Sequence, residues 1–201
     1  MPVQIGAKAH SFTDPTGLLS DCHRRIEIFL ETLAAAGKVM HEPPSDDTAR
    51  ALQAALVYFR QAAPKHTADE EESLFPRLRG REEAELRSAL STLDRLEKDH
   101  KAVSPLHAEV ERLAEMYLEA GSLCASDTEA FRTAVARLQD TYREHIHVED
   151  STVFPLAARL LSEAEKSAIA EEMAARREAP LVVELDAHNS RALNDLQRLK
   201  L

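Results

Sequence analysis

Tryptophan is absent from this chain of 201 residues, and only two cysteines and five glycines are present. Two cysteines are too few for a disulfide framework, which fits a reducing, cytoplasmic environment. No run of about 18 apolar residues exists to span a bilayer, so we expect no membrane partner. The first residues, MPVQIGAKAHSF, also lack the apolar stretch of a signal peptide. Scarce glycine beside abundant Ala, Leu, Glu and Arg favours helices over strands.

The chain also has no excess of positive charge. The chain has 25 Lys and Arg against 35 Asp and Glu, a formal net charge of −10, and no basic cluster stands out. Such a balance repels phosphate backbones, so we expect no nucleic-acid partner. Hydrophobic residues make up 44% and charged residues 30%, a mixture typical of a globular domain rather than of a disordered chain.

Apolar residues recur at helical spacing along most of the chain. A first helix is predicted from Asp14, an N-cap followed by Pro15, to a stop at Gly37. A second helix runs to about Leu78 and contains Pro64, which should kink it or break a backbone hydrogen bond.

The second half of the chain repeats this plan. A short amphipathic piece at 82–89 leads into a third helix, which contains Pro105. After a break at 121–126, Asp127 can cap a fourth helix. The capping box Ser162-Glu-Ala-Glu165 then opens a further helix.

Long helices joined by short loops predict an all-α fold, an up-down-up-down four-helix bundle with an additional C-terminal helix. We assign residues 14–178 to this bundle and its following helix, and residues 179–201 to a C-terminal tail.

One eleven-residue pattern occurs twice, 79 positions apart: HTADEEESLFP at 66–76 and HIHVEDSTVFP at 145–155. Both copies have His first, Glu fifth, an acid sixth, and Phe-Pro last. Each copy also follows a helix with a single upstream histidine, His23 or His100, on the edge of its apolar stripe. The chain therefore resembles a duplicated helical hairpin.

Residues four apart lie about 40° apart around a helix, so each His and Glu of the pattern face the same way. Both glutamates fall on the apolar stripe, where an unpaired carboxylate is costly and a cation makes it tolerable. Nitrogen and oxygen donors suit iron, manganese or zinc, and two bridging carboxylates suit a pair of ions. The candidate metal ligands are His23, His66, Glu70, His100, His145 and Glu149.

The neighbours of these candidates receive other expectations. We favour Glu149 over the adjacent Asp150 as the ligand, and expect Glu71 to be solvated or to support a ligand. Phe75 and Phe154 lie about 180° from their histidines and are predicted to point outward against other helices.

At this point the chain resembles the hemerythrin-like, or HHE cation-binding, domain family. The resemblance covers about residues 14–178 and rests on His23, on HTADEE with LFP, on Asp99-His100, and on HIHVED with VFP. It implies a non-heme di-iron centre in a four-helix bundle, with the six candidates as ligands and Glu70 and Glu149 bridging. Oxygen-carrying members have a further His where this chain has Ser104, a departure that argues against reversible oxygen carriage.

These observations lead to a non-heme di-iron protein that binds or senses oxygen, nitric oxide or iron, with zinc or manganese as alternative metals. A small diatomic ligand or peroxide is the expected partner, and a homo-oligomer or another protein would carry any signal. Two other functions stay open: a di-iron enzyme acting on peroxide or nitric oxide, and a binding module in which the metal only stabilises the bundle.

Overall fold

The computed structural model describes residues 14–81 and 84–178, without the side chains of 82–90 and 178. Every regular element in these ranges is helical, which confirms the all-α prediction. In chain order the elements are α1 (Pro15–Ala36), α2 (Asp46–Gln61), α3 (Ala63–Ala68), a first π-helical turn (Asp69–Leu74), α4 (Phe75–Arg79), α5 (Ala84–Ala120), α6 (Ala125–Val148), a second π-helical turn (Glu149–Val153), α7 (Phe154–Leu160) and α8 (Glu163–Glu178).

The ends of α1 are confirmed as predicted. The Asp14 carboxylate accepts a hydrogen bond from the backbone N–H of Gly17 at 2.9 Å, and Pro15 occupies the first turn. Gly37 ends the helix, and a Cβ there would come within 3.2 Å of the Phe131 ring. Glycine at this position therefore allows α6 to approach the end of α1 closely.

Pro64 interrupts the second long helix, also as predicted. α2 ends at Gln61 and α3 begins at Ala63, with Pro64 in the first turn of α3. Proline has no N–H to donate and its ring clashes with the carbonyl four residues earlier, so the helix restarts here. Pro105, by contrast, lies inside α5.

Two predicted boundaries in the second half are wrong. Residues 84–89 are not a separate piece, because they already belong to α5. Asp127 is not the cap of α6, because that helix begins at Ala125 with Cys124 in the N-cap position. The Leu123 N–H donates to the Met40 carbonyl at 2.7 Å, which fixes the chain just before the helix starts. The predicted capping box before α8 is present: Glu165 accepts from the Ser162 N–H at 2.8 Å.

The buried apolar residues form two separate clusters. The larger one lies among α1, α2, α5 and α6: Ile26, Phe29, Leu30, Leu33, Ala36, Met40, Leu52, Ala55, Leu56, Val103, Val110, Leu113, Ala114, Tyr117, Leu123, Phe131, Ala134, Val135, Leu138 and Ile146. The smaller one includes the π-turn ends and α8: Leu19, Leu74, Phe75, Leu78, Leu93, Leu96, Val153, Phe154, Ala157, Leu161, Ile169 and Met173.

The candidate ligands occupy the boundary between these clusters. His23 lies between Leu19 of the smaller cluster and Ile26 of the larger one, and His100 lies between Leu96 and Val103 in the same way. The two glutamates have corresponding places on their own helices. The fold therefore presents a polar layer between two apolar layers, which keeps bulk water from the site.

Among the described residues, no helix is both long and apolar enough to cross a membrane. The predicted tail at 179–201 lies outside the described residues, and the division of the chain at 178/179 stays a prediction.

Candidate metal centre

The six predicted ligands meet in two overlapping groups. One consists of His23, His66, Glu70 and Glu149, and the other of Glu70, His100, His145 and Glu149. Within each group the potential donor atoms all lie within 4.8 Å of one another. Only the two glutamates belong to both, so each is placed where it could bridge two ions.

The Glu70 carboxylate reaches into both groups with different oxygens. Its Oε1 lies 3.2 Å from Nε2 of His66, and its Oε2 lies 3.4 Å from Nε2 of His100. Glu149 uses one oxygen for both sides: Oε2 is 3.1 Å from Nε2 of His23 and 3.2 Å from Nε2 of His145. All four imidazoles therefore direct Nε2 toward the carboxylates.

A wide helical turn carries each glutamate. The N–H of Phe75 bonds to the carbonyl of Glu70, and that of Phe154 to the carbonyl of Glu149, both five residues back. The prolines that follow, Pro76 and Pro155, lack an N–H, and their rings crowd the carbonyl four residues earlier, which favours the wider π spacing. Helical periodicity in the sequence did not predict a π-helix here.

The two phenylalanines that follow the π turns pack against other helices, as predicted. Phe75 and Phe154 are both buried in the smaller apolar cluster. Phe154 stacks on the imidazole of His23 of α1, with ring centroids 5.3 Å apart and an interplanar angle of 15°. The additional residue in each π turn shifts these side chains from the angles counted at 3.6 residues per turn.

The donor atoms are suited to a cation rather than to each other. Among the described residues, four carboxylate oxygens of Glu70 and Glu149 and Nε2 of His23 are buried with no hydrogen bond of acceptable geometry. Buried carboxylates without partners are costly, and a divalent cation would satisfy all of these atoms at once. The residues present therefore fit a metal centre.

The two glutamates differ in the direction in which their pKa values are shifted. Burial and the adjacent Glu149 raise the pKa of Glu70 well above its usual range. Burial also acts to raise the pKa of Glu149, but attraction from the nearby His145 and His23 imidazoles outweighs it and holds this pKa low. Without metal the pair thus retains a proton on Glu70, which a bound cation would replace.

Two of the four imidazoles contact a carboxylate through Nδ1, the ring nitrogen that faces away from Glu70 and Glu149. Nδ1 of His23 lies 3.1 Å from Asp150, whose same oxygen accepts from the Ser20 hydroxyl at 2.7 Å. Nδ1 of His100 lies 2.8 Å from Glu71. A carboxylate in this position fixes which ring nitrogen carries the proton and leaves Nε2 free for a metal.

These contacts bear on two predictions. Asp150 faces Nδ1 of His23 and belongs to neither donor group, which agrees with the preference for Glu149. Glu71 supports a ligand, the second of the roles expected for it. The pairing also crosses the repeat: the acid after each glutamate orients the lone histidine of the other half. Sequence spacing alone carries no signal for this exchange.

The remaining two histidines are not supported equally. Nδ1 of His145 lies 3.6 Å from Asp99, too long for a direct hydrogen bond but close enough for attraction. Nδ1 of His66 is buried with no hydrogen-bond partner among the described residues. Cys22 precedes His23 where Asp99 precedes His100, so the second half has an acid that the first half lacks.

Helix α8 contacts the first π turn through a buried acid that sequence reasoning did not single out. Asp69, next to Glu70, is fully buried and pairs with Arg176 at 2.9 Å and Arg177 at 2.6 Å. Arg77 forms a further ion pair with Glu172 at 2.7 Å. The corresponding position in the second copy of the repeat is Val148, so only one copy has this attachment.

A cavity of about 10 Å³ adjoins the donor atoms and is lined by all four histidines and by Tyr142. This size is close to the minimum that holds one water molecule. The Tyr142 hydroxyl lies 3.0 Å from Nε2 of His107, which belongs to neither donor group. Ser104, at the place of the missing fifth histidine, is exposed. The cavity therefore favours very small ligands.

A helical fold with a buried layer of His and Glu donors defines a cation-binding domain. The sequence model of the Hemerythrin HHE cation binding domain matches residues 14–157, and the chain belongs to that family. No curated protein and no solved structure matches the chain.

Proposed function

We propose that this protein is a non-heme di-iron protein that binds or senses oxygen, nitric oxide or iron. The observation that carries the proposal is the sharing of Glu70 and Glu149 by two groups of buried donors. Membership of a cation-binding family whose metal is typically iron supports it. Zinc and manganese suit the same donors chemically, so the experiment below must tell the three metals apart.

In this proposal His23 and His66 would hold one ion, His100 and His145 would hold the other, and Glu70 and Glu149 would contribute to both. The scaffold would be an up-down-up-down bundle formed by residues 14–178. When bound, iron would supply one-electron redox chemistry toward a small ligand.

The chain's own residues select what reaches that position. A cavity of about 10 Å³, close to the minimum that holds one water molecule, restricts this position to very small ligands. Phe154 covers the His23 ring, and the apolar clusters on either side of the donor layer limit water. Asp150 and Glu71 face Nδ1 of His23 and His100, an arrangement that favours a proton on Nδ1 and would direct Nε2 of both rings toward a metal.

The test is metal analysis with an absorption spectrum on protein loaded anaerobically with ferrous iron, before and after exposure to air. We expect about two irons per chain, as two donor groups require, and a new near-ultraviolet charge-transfer band after oxidation. Zinc alone, or no metal and no band, would rule out the redox function and leave a helical binding module.

One contact favours an enzymatic role as a second candidate. Tyr142 lines the cavity and its hydroxyl lies 3.0 Å from Nε2 of His107, so this contact holds the phenol beside the position where a peroxide would bind. Peroxide loss well beyond two molecules per di-iron centre, slowed in Tyr142→Phe with iron content unchanged, would support this role. Loss that stops at stoichiometry would exclude it.

A further inference from the structure

Aromatic rings form a continuous series from a cleft along α2 to the donor layer. Tyr58 lines this cleft, which has a volume of about 830 Å³, and its ring centroid lies 5.4 Å from that of Phe59. Phe59 lies 4.7 Å from His107, and His107 lies 5.8 Å from Tyr142, again between ring centroids. Tyr142 is in turn 6.5 Å from the candidate ligand His145. Holding a metal requires none of the rings before His145, so the series has no role in the site as described above.

The tyrosines are the members of this series that can lose an electron most easily, because a phenol is more electron-rich than a benzyl ring. The whole chain has three tyrosines and no tryptophan. The hydroxyls of Tyr58 and Tyr117 donate to backbone carbonyls, at 3.4 and 3.0 Å. The hydroxyl of Tyr142 instead lies 3.0 Å from Nε2 of His107. In the described structure, only Tyr142 therefore has its hydroxyl beside a nitrogen base.

The contact between Tyr142 and His107 suits the loss of an electron together with a proton. Burial lowers the pKa of His107 to about 4, so its imidazole is neutral and one ring nitrogen is free to accept. A phenol is a stronger acid than the N–H of a neutral imidazole, so the hydroxyl donates and Nε2 accepts. A phenol that has lost an electron is a far stronger acid still, and even a weak base at hydrogen-bond distance takes its proton.

We propose that Tyr142 and His107 form a one-electron relay between the cleft and the donor layer. Tyr142 gives one electron to an oxidant at the donor layer, and its hydroxyl proton moves to Nε2 of His107. A neutral tyrosyl radical and an imidazolium result. A reductant of the hydroquinone class at the cleft then supplies one electron through Tyr58 and Phe59 and releases one proton to water. The proton on His107 returns to the phenol oxygen, so the relay ends unchanged and one electron has passed inward.

The relay rests on the proposed function only for its oxidant, which there is the oxidised iron pair. The ring series and the hydroxyl contact belong to the chain itself. The test therefore uses the full chain loaded with zinc, a metal without redox chemistry, and the metal-free chain beside it. Failure to bind iron would contradict the proposed function and leave this test unaffected.

A light flash supplies the oxidant in the test. Tris(bipyridine)ruthenium(III), generated with pentaamminechlorocobalt(III) as the electron acceptor, removes one electron from the protein, and the sample is frozen for electron paramagnetic resonance. We expect a tyrosyl radical in the wild type that is lost in Tyr142→Phe. Tyr117→Phe is the matched control, because Tyr117 is fully buried but its hydroxyl meets a carbonyl instead of a base. It should retain the signal.

Two further variants separate the base from the ring series. His107→Gln keeps a polar side chain but removes the base, and it should slow radical formation by roughly 100-fold, the low end of what a positioned base contributes. Phe59→Leu keeps an apolar side chain and leaves the contact between Tyr142 and His107 in place, yet it interrupts the rings and should also slow formation. Circular dichroism checks that each variant is folded.

The wild type provides a readout that does not depend on any variant. If the proton moves with the electron, the radical should form more slowly in deuterated water. Equal rates in the two solvents would overturn the relay, as would a wild type without a tyrosyl signal or a signal that persists in Tyr142→Phe. Formation at the wild-type rate in both folded His107→Gln and folded Phe59→Leu would overturn it as well.

Discussion

At the residue scale, the acids behind the imidazoles matter as much as the donors. Asp150→Asn removes the charge that faces Nδ1 of His23 while keeping a side chain of the same size. We expect metal affinity to fall 10- to 100-fold, the usual effect of losing such a partner. Competition with a chromophoric chelator measures the change, and Glu71→Gln should behave in the same way.

Glu72→Gln is the matched control for this prediction. Glu72 is on the same π turn as Glu71 but is mainly exposed and pairs with Arg176 rather than with an imidazole. An equal loss of affinity in this control would mean that general negative charge, and not orientation of the ring, sets the affinity.

The buried carboxyl groups of Glu70 and Glu149 should destabilise the fold when no metal is bound. In Glu70→Gln a neutral amide replaces a buried carboxyl group whose oxygens have no hydrogen bond in the described structure. We expect metal binding to be lost while the metal-free variant unfolds at an equal or higher temperature than the metal-free wild type. Thermal unfolding in excess chelator is the measurement; a clearly lower midpoint would show that the carboxyl group stabilises the fold by itself.

His107 gives a pH dependence that does not involve the donors. Burial lowers its pKa to about 4, against an ordinary 6.5. The imidazole is therefore protonated below about pH 6.5 in the unfolded chain, but only below about pH 4 in the folded chain. The free energy of unfolding consequently falls as the pH is lowered through this window. The full effect is on the order of 3 kcal/mol.

Urea unfolding at pH 7 and pH 5 tests this prediction. In His107→Gln the loss of stability between the two values should be smaller than in the wild type. An identical loss in both proteins would mean that His107 accepts a proton in the folded state without cost.

Much of the candidate donor set could be predicted at this scale, because a pattern that occurs twice is informative without a structure. His66, Glu70, His145 and Glu149 were identifiable from the repeat alone. The roles of Asp150 and Glu71 were not fully predictable, because each depends on which helix lies opposite. The attachment of Asp69 to α8 was missed for the same reason.

At the element scale, the π turns set the limit of helical periodicity. Side chains after Glu70 and Glu149 are shifted from the angles of a 3.6-residue repeat, because each π turn holds an additional residue. Helix ends with side-chain caps, such as Asp14 and Ser162, could be placed because the capping interaction is local. The start of α6 could not, because a contact between distant loops fixes it.

The attachment of α8 to the first π turn should contribute strongly to stability. Asp69→Ala leaves Arg176 and Arg177 without their buried partner. A fully buried pair broken in this way costs about 3–5 kcal/mol, and partial exposure of both arginines reduces this to roughly 2 kcal/mol. Urea unfolding of the metal-free protein measures the loss.

Val148→Ala is a useful comparison, since Val148 has the position of Asp69 in the other copy of the repeat. It removes apolar contacts but no ion pair. A double-mutant cycle between Asp69 and Arg177 separates the charge interaction from simple packing, and a coupling energy near zero would contradict the prediction.

At the scale of the whole molecule, the metal centre joins elements from both halves of the chain. A metal that binds only the folded state at 100 times its dissociation constant stabilises it by about 2.7 kcal/mol per site. For a domain of this size that corresponds to a rise of roughly 5–10 °C in the unfolding midpoint. We expect a chelator to reverse the rise, and an unchanged midpoint would argue against a tightly held ion.

The exchange of acids between the halves has a consequence for the origin of the repeat. Neither hairpin alone contains both a lone histidine and the carboxylate that orients it. Two identical hairpins related by a two-fold axis would each supply the other's missing carboxylate. One chain therefore supplies the exchange that such a dimer would need, and Asp69 and Asp99 are acids whose counterparts in the other half, Val148 and Cys22, are not acidic.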